Sequence, residues 1–199
     1  MLTYIEQYFQ EAKIILDKID RKALEAVLDL LCKTRSRKGR VFFLGVGGSA
    51  ANASHAVNDF RKICGIECYS PTDNVSELTA RINDDGWDSC FANWLQISRL
   101  QKKDLVFVFS VGGGDLEKKV SLSIVKALQY AQKTGAGICG VVSRNGGYTA
   151  KAADACVVIP VINAHTVTPH AEAFQAVVWH LLVAHPKLQK NQMKWESIK

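Results

Sequence analysis

The chain has 199 residues, 48% hydrophobic and 22% charged, with a formal net charge of +6 and a pI near 9.0. This is enough for one domain with a sizeable core and too apolar for a disordered chain. No apolar run reaches the roughly 18 residues of a membrane span and no basic-then-apolar leader opens the chain, so the expectation is a cytoplasmic protein that meets no membrane.

Residues 2–19 place Leu2, Ile5, Phe9, Ala12, Ile15 and Leu16 at helical spacing. Asp20 can cap a second helix carrying Leu24, Val27, Leu28 and Leu31 to the basic stretch that ends at Gly39. Two helices before the first strand exceed what a small sheet needs, so residues 1–38 are expected to pack against a second subunit. A strand over 40–45 leads through a glycine turn into a helix over 49–63, followed by a short strand over 66–70. A helical turn over 76–82, the turn signal Asn83-Asp84-Asp85-Gly86 and a helix over 91–100 come next. An almost wholly apolar strand over 104–110 ends at Gly112-Gly113-Gly114-Asp115, which reads as the start of a long helix to Thr134. A strand over 137–143, a turn at Asn145-Gly146-Gly147 and a strand over 155–160 precede the last helix. That helix is expected to open at Thr168-Pro169 and run through His180 to Ala184. A polar tail over 187–199 closes the single domain.

Strands that are apolar throughout and alternate with helices imply a parallel sheet covered on both faces, an αβα sandwich. Ligands of such sheets bind beyond the carboxyl ends of the strands, where both glycine turns fall. At the first turn, Gly45-Val46-Gly47-Gly48-Ser49-Ala50 places backbone N–H groups and a helix N-terminus where an anion can sit. It also fits G-x-G-x-x-A, a dinucleotide fingerprint, but that reading needs an acid at the tip of the next strand. Glu67 lies inside that strand, and its tip is Ser70-Pro71. The basic residues of 33–40 favour acidic ligands such as phosphosugars. Without interleaved aromatics they argue against nucleic acid. Six cysteines without a C-x-x-C pair read as reduced, buried thiols.

The glycine turn 45–49, the paired N-terminal helices, Asn83-Asp84, the Ser110 loop and the Glu172…His180 helix together resemble the sugar isomerase (SIS) family, closest to its phosphoheptose isomerase branch. The resemblance implies a flavodoxin-like fold with a five-stranded parallel sheet. It also implies a homotetramer with phosphosugar sites across subunit interfaces, and isomerisation of sedoheptulose 7-phosphate to a glycero-manno-heptose 7-phosphate. Zinc or another divalent metal would fall on His55, Asp59, Glu172 and His180. Acid–base work would fall on Asp59, Glu172 and His180. Substrate contacts would fall on Val46, Gly47, Gly48, Ser49, Asn83, Asp84, Ser110, Val111, Gly112, Asp115 and Glu172.

The residue types suit that chemistry on their own. His55 and Asp59 stand one helical turn apart, about 40° around the axis, and Glu172 and His180 about 80° around theirs. Two such pairs can converge as a metal site of two imidazoles and two carboxylates. Either carboxylate can remove a proton on the way to an enediol, with His180 relaying one at oxygen. The sequence departs from the family at Asp59 and Glu172, where the family has glutamate and glutamine, and at Val46, where the branch has asparagine. The loop 110–115 keeps only the Ser110 hydroxyl, and Asp115 is expected to cap the following helix and to repel a phosphate. His165 and His170 read as loop or capping side chains. A non-catalytic SIS protein that senses a sugar phosphate or binds a partner is the second expectation.

Overall fold

In a computed structural model describing residues 2–193, five parallel strands lie in the order β2-β1-β3-β4-β5. They are β1 (Val41–Leu44), β2 (Cys68–Tyr69), β3 (Leu105–Phe109), β4 (Gly137–Val142) and β5 (Ala155–Val158). The helices are α1 (Tyr4–Lys18), α2 (Arg21–Ser36), α3 (Gly48–Lys62), α4 (Val75–Asp85), α5 (Cys90–Ile97), α6 (Leu122–Thr134), α7 (Gly147–Ala152) and α8 (Val167–Ala184). This is the expected αβα sandwich. Successive residues of a strand face opposite sides, and both sides are buried. Phe43, Phe107 and Phe109 pack with α1, α2, α3 and α8 on one face. Phe42, Leu44, Val106 and Val108 pack with α5 and α6 on the other.

Local chemistry sets the helix starts. Thr3 and Glu6 form a reciprocal capping box on α1, and the Asp20 carboxylate accepts from the N–H groups of Lys22 and Ala23. Helix α2 differs from expectation. It buries Val27, Leu28 and Leu31 against the sheet of its own chain, so only α1 keeps a bare apolar face, with Ile5 67% and Phe9 63% exposed.

Four further differences bear on the site. Asn83 and Asp84 lie inside α4, whose end is Gly86. Helix α6 starts at Leu122, well beyond the glycine run. Before it, residues 115–120 close a turn in which Asp115 and Val120 exchange backbone hydrogen bonds of 2.9 and 3.0 Å. Residues 147–152 form α7 where only a turn was expected. Helix α8 opens two residues early, with Thr166 at its N-cap. The first part of the polar tail is docked: Leu188 is buried, and the N–H groups of Lys190 and Asn191 donate to the Ile63 carbonyl at 2.9 Å. Residues 194–199 of that tail lie outside the described residues.

Candidate functional site

The strand order reverses between β1 and β3, and a cleft of about 660 Å3 opens beyond their carboxyl ends. Val46 and Ser49 line it from the first turn. Ser110, Val111, Gly112 and Asp115 line it from the second. These six are expected substrate contacts. Arg144 and Asn145 from the β4–α7 loop, Lys118 from the 115–120 turn and Thr168 from α8 complete the wall. Sequence reasoning missed Arg144 and Thr168. Nothing in periodicity or motif announces a side chain that only a neighbouring loop brings to the cleft.

The glycine run 112–114 has a reason of its own. Tyr148 and Thr149 donate their N–H groups to the carbonyls of Gly114 and Gly113 at 2.7 and 2.9 Å, and the Thr149 hydroxyl also donates to Gly113 at 2.7 Å. Ser143 donates its N–H to Val111 at 3.0 Å. A Cβ on Gly113 would run into the Gly146 carbonyl, and one on Gly147 into the carbonyls of Gly112 and Gly114. The glycines let two loops lie backbone against backbone. Asp115 does not cap α6. Its carboxylate accepts from the Lys118 N–H at 2.9 Å and braces the turn.

The start of α3 is tied to α8. Gln175, fully buried, donates to the Ser49 hydroxyl oxygen at 3.1 Å, and Asn52 donates to the Gln175 side-chain carbonyl and to the Glu172 backbone carbonyl at 3.0 Å each. The Ser49 oxygen is thereby taken as an acceptor and its proton is left for a ligand. A Cβ at Gly48 would overlap the Glu172 carboxylate, so that carboxylate lies directly over the glycine turn. Gly47 is the N-cap of α3, and no side chain caps the first N–H groups.

His55, Asp59 and His180 converge: one ligand atom from each lies within 4.8 Å of the others. Asp59 is 3% exposed, its Oδ1 accepts from Asn58 at 2.8 Å, and its Oδ2 is buried without a hydrogen-bond partner among the described residues. An orphaned buried carboxylate oxygen is costly unless a cation or donor meets it. The Nδ1 of His180 lies 2.8 Å from the Ala176 carbonyl, which assigns the proton to Nδ1 and leaves Nε2 with its lone pair, the tautomer of a metal-ligating histidine. Trp179 serves both imidazoles as a platform, its ring 4.6 Å from that of His55. These three residues fit a divalent metal such as zinc.

Glu172 does not join them. Eight residues along a helix is about 12 Å of rise, which outweighs the shared side that the angle gives. The carboxylate lies instead over Gly48 at the first turn, one helical turn beyond Thr168, which lines the cleft. His55 is likewise about 9 Å along α3 from Ser49, so one chain holds the cleft and the imidazole cluster apart. Asn83 and Asp84 are exposed on α4 and outside the cleft of their own chain.

His170 is a clasp. Its Nε2 lies 2.9 Å from Glu11, whose carboxylate also accepts from Thr166, Asn163 and Gln7. Tyr8 stacks on the His170 ring at 4.2 Å. The hydrogen bonds from Thr166 and Asn163 hold the Glu11 carboxyl down at about 2. His165 is exposed in the loop before α8, and its N–H donates to Asn163. All six cysteines are unpaired, and burial pushes the thiols of Cys64 and Cys156 up to about 12.

A family model described as "SIS domain" matches residues 7–143. The phosphoheptose isomerase of Rhodospirillum rubrum is 31% identical over 150 residues, which span 72% of this chain and 73% of that one. That of Syntrophotalea carbinolica is 28% identical over 187 residues, 89% of each chain. Among solved structures, phosphoheptose isomerase from Neisseria gonorrhoeae superposes with a TM-score of 0.78 at 20% identity, covering 90% of this chain and 94% of that one. No helix among the described residues is long and apolar enough to cross a membrane.

Proposed function

The chain belongs to the SIS domain family, in its phosphoheptose isomerase branch, and from that premise we propose that it interconverts sedoheptulose 7-phosphate and D-glycero-D-manno-heptose 7-phosphate. The observation that carries this reading is the cleft: a glycine-and-serine wall beside a carboxylate, Glu172, that lies over the first turn. The carboxylate takes a proton from C1 of the ketose. The electron pair forms the C1–C2 double bond of an enediol while O2 gains a proton. Returning the proton to C2, with loss of the O1 proton, gives the aldose. Asp59 is the other candidate for the base, and His180, through its Nε2 lone pair, is the candidate relay at oxygen where no metal takes that atom. His55, Asp59 and His180 would hold a zinc or similar ion, which supplies polarisation of the carbonyl when bound. With Asp59 engaged there, Glu172 is the carboxylate left to act as base.

Because cleft and imidazole cluster are apart in one chain, the reading places them together across subunits of a homotetramer. The bare face of α1 and the exposed Val177 and Leu181 that flank His180 support such an assembly. On this view Asn83 and Asp84 also contact substrate from a neighbouring copy. Six unpaired cysteines suit the reducing cytoplasm.

Turnover of sedoheptulose 7-phosphate by purified protein, lost with chelator and regained with zinc, is the expected result. Mixing inactive Glu172→Ala and His180→Ala proteins under exchange should restore activity, since some mixed interfaces then carry both wild-type groups; no recovery would place each site within one chain. Binding of the phosphosugar without turnover would favour the sensor reading, to which the cleft-facing Asp115 lends weight.

A further inference from the structure

We propose that Arg144, seconded by Lys118, is the anion anchor of the cleft and selects phosphorylated over unphosphorylated sugars. This rests on the phosphosugar reading above. The β3 loop is poor in side-chain donors: among residues 110–115 only Ser110 carries a hydroxyl. Asp115 sets a negative charge on the same wall. A dianion entering the cleft therefore needs fixed positive charge from elsewhere. Arg144 and Lys118 are the two cationic side chains that line it, and neither takes part in an ion pair among the described residues.

Arg144 is also held where it stands. The backbone hydrogen bonds from Ser143, Tyr148 and Thr149 to the glycine loop bracket it on both sides. Its own φ is +53°, a left-handed conformation that disfavours a branched or long side chain. A turn of this shape would take Gly or Asn more cheaply, although Lys38, Arg99 and Lys119 adopt the same φ elsewhere in the chain. The Arg144 Cδ lies 3.9 Å from where a Cβ on Gly112 would be, so its stem rests beside the loop over which a phosphate would sit. A guanidinium so placed can grip a phosphate through two parallel N–H bonds.

Arg144→Asn is the informative variant, because Asn accepts the left-handed backbone and carries no charge. It should raise KM for sedoheptulose 7-phosphate about tenfold or more with kcat changed less than about threefold, since a charge-assisted contact to the non-reacting end is lost. KM for unphosphorylated sedoheptulose should not move, and Arg144→Lys should restore part of the loss. An unchanged KM for the phosphorylated sugar in Arg144→Asn overturns the assignment. A second arm titrates inorganic phosphate by calorimetry and does not depend on catalysis. Binding to the wild type and its loss in Arg144→Asn upholds the anchor even if no isomerisation is found. Equal binding by both proteins, or by neither, overturns it.

Discussion

At the scale of the residue, two carboxylates near the glycine turns can be separated by substitution: Asp115 lines the cleft, and Glu172 lies over the first turn. Asp115→Asn keeps the acceptor for the Lys118 N–H but removes the charge. Two unit charges about 4 Å apart interact by roughly 1–4 kcal/mol at surface dielectrics. The variant should therefore lower KM for the phosphosugar about fivefold or more, read by steady-state kinetics, with an unchanged melting temperature. Gly48→Ala tests Glu172 from the opposite direction. The new methyl would overlap only the far end of a flexible side chain, so the protein should fold and melt nearly as before. The displaced carboxylate should cost kcat about tenfold or more. A normal kcat in that variant would move the base from Glu172 to Asp59.

At the scale of the element, the Glu11 cluster joins α1 to the start of α8, the helix that carries both Glu172 and His180. Its depressed carboxyl fixes the sign of a pH effect. Glu11 is charged in the folded state down to about 2, against an ordinary value of 4.5. Its contribution is whole above 4.5 and is lost as pH falls from there toward 2. Glu11→Gln should lower stability at neutral pH by about 2 kcal/mol and flatten the acid limb of a stability–pH curve, measured by urea unfolding. Most elements were legible because buried strands are apolar throughout and glycines stand where helices stop. The misses have physical causes. An aspartate after a glycine run is the same signal for a helix cap and for a braced turn, so α6 was started too early. The six residues of α7 are too short for periodicity and follow Asn145-Gly146, which reads as a turn by itself. Glu172 was grouped with His180 on angle alone, although axial rise decides which side chains can meet.

At the scale of the whole molecule, the basic stretch 33–40 is largely committed. Arg40 is paired with Asp104 at 2.7 Å, and Arg35 donates to the carbonyls of Lys187 and Leu188. Lys33 and Arg37 sit at the end of α2, where cations offset the helix dipole. An apolar feature is uncommitted: Ile5, Phe9 and Leu16 form a stripe along α1 with none of the other described residues covering it. Phe9→Glu should shift the proposed tetramer to smaller species in light scattering and reduce activity about tenfold or more, while the chain's own circular dichroism stays native. Loss of activity without a change in mass would break the proposed tie between assembly and catalysis.

The interlocked glycines limit how this scaffold can be redesigned. Transplanting a serine- or threonine-rich phosphate loop from a relative would force a Cβ at Gly113, where φ is +73° and the Gly146 carbonyl already fills the space. The donor loop would have to arrive with its neighbour after β4 replaced as well. Anion selection in this scaffold is therefore easier to retune through the single side chain at 144 than through the interlocked loop 110–115.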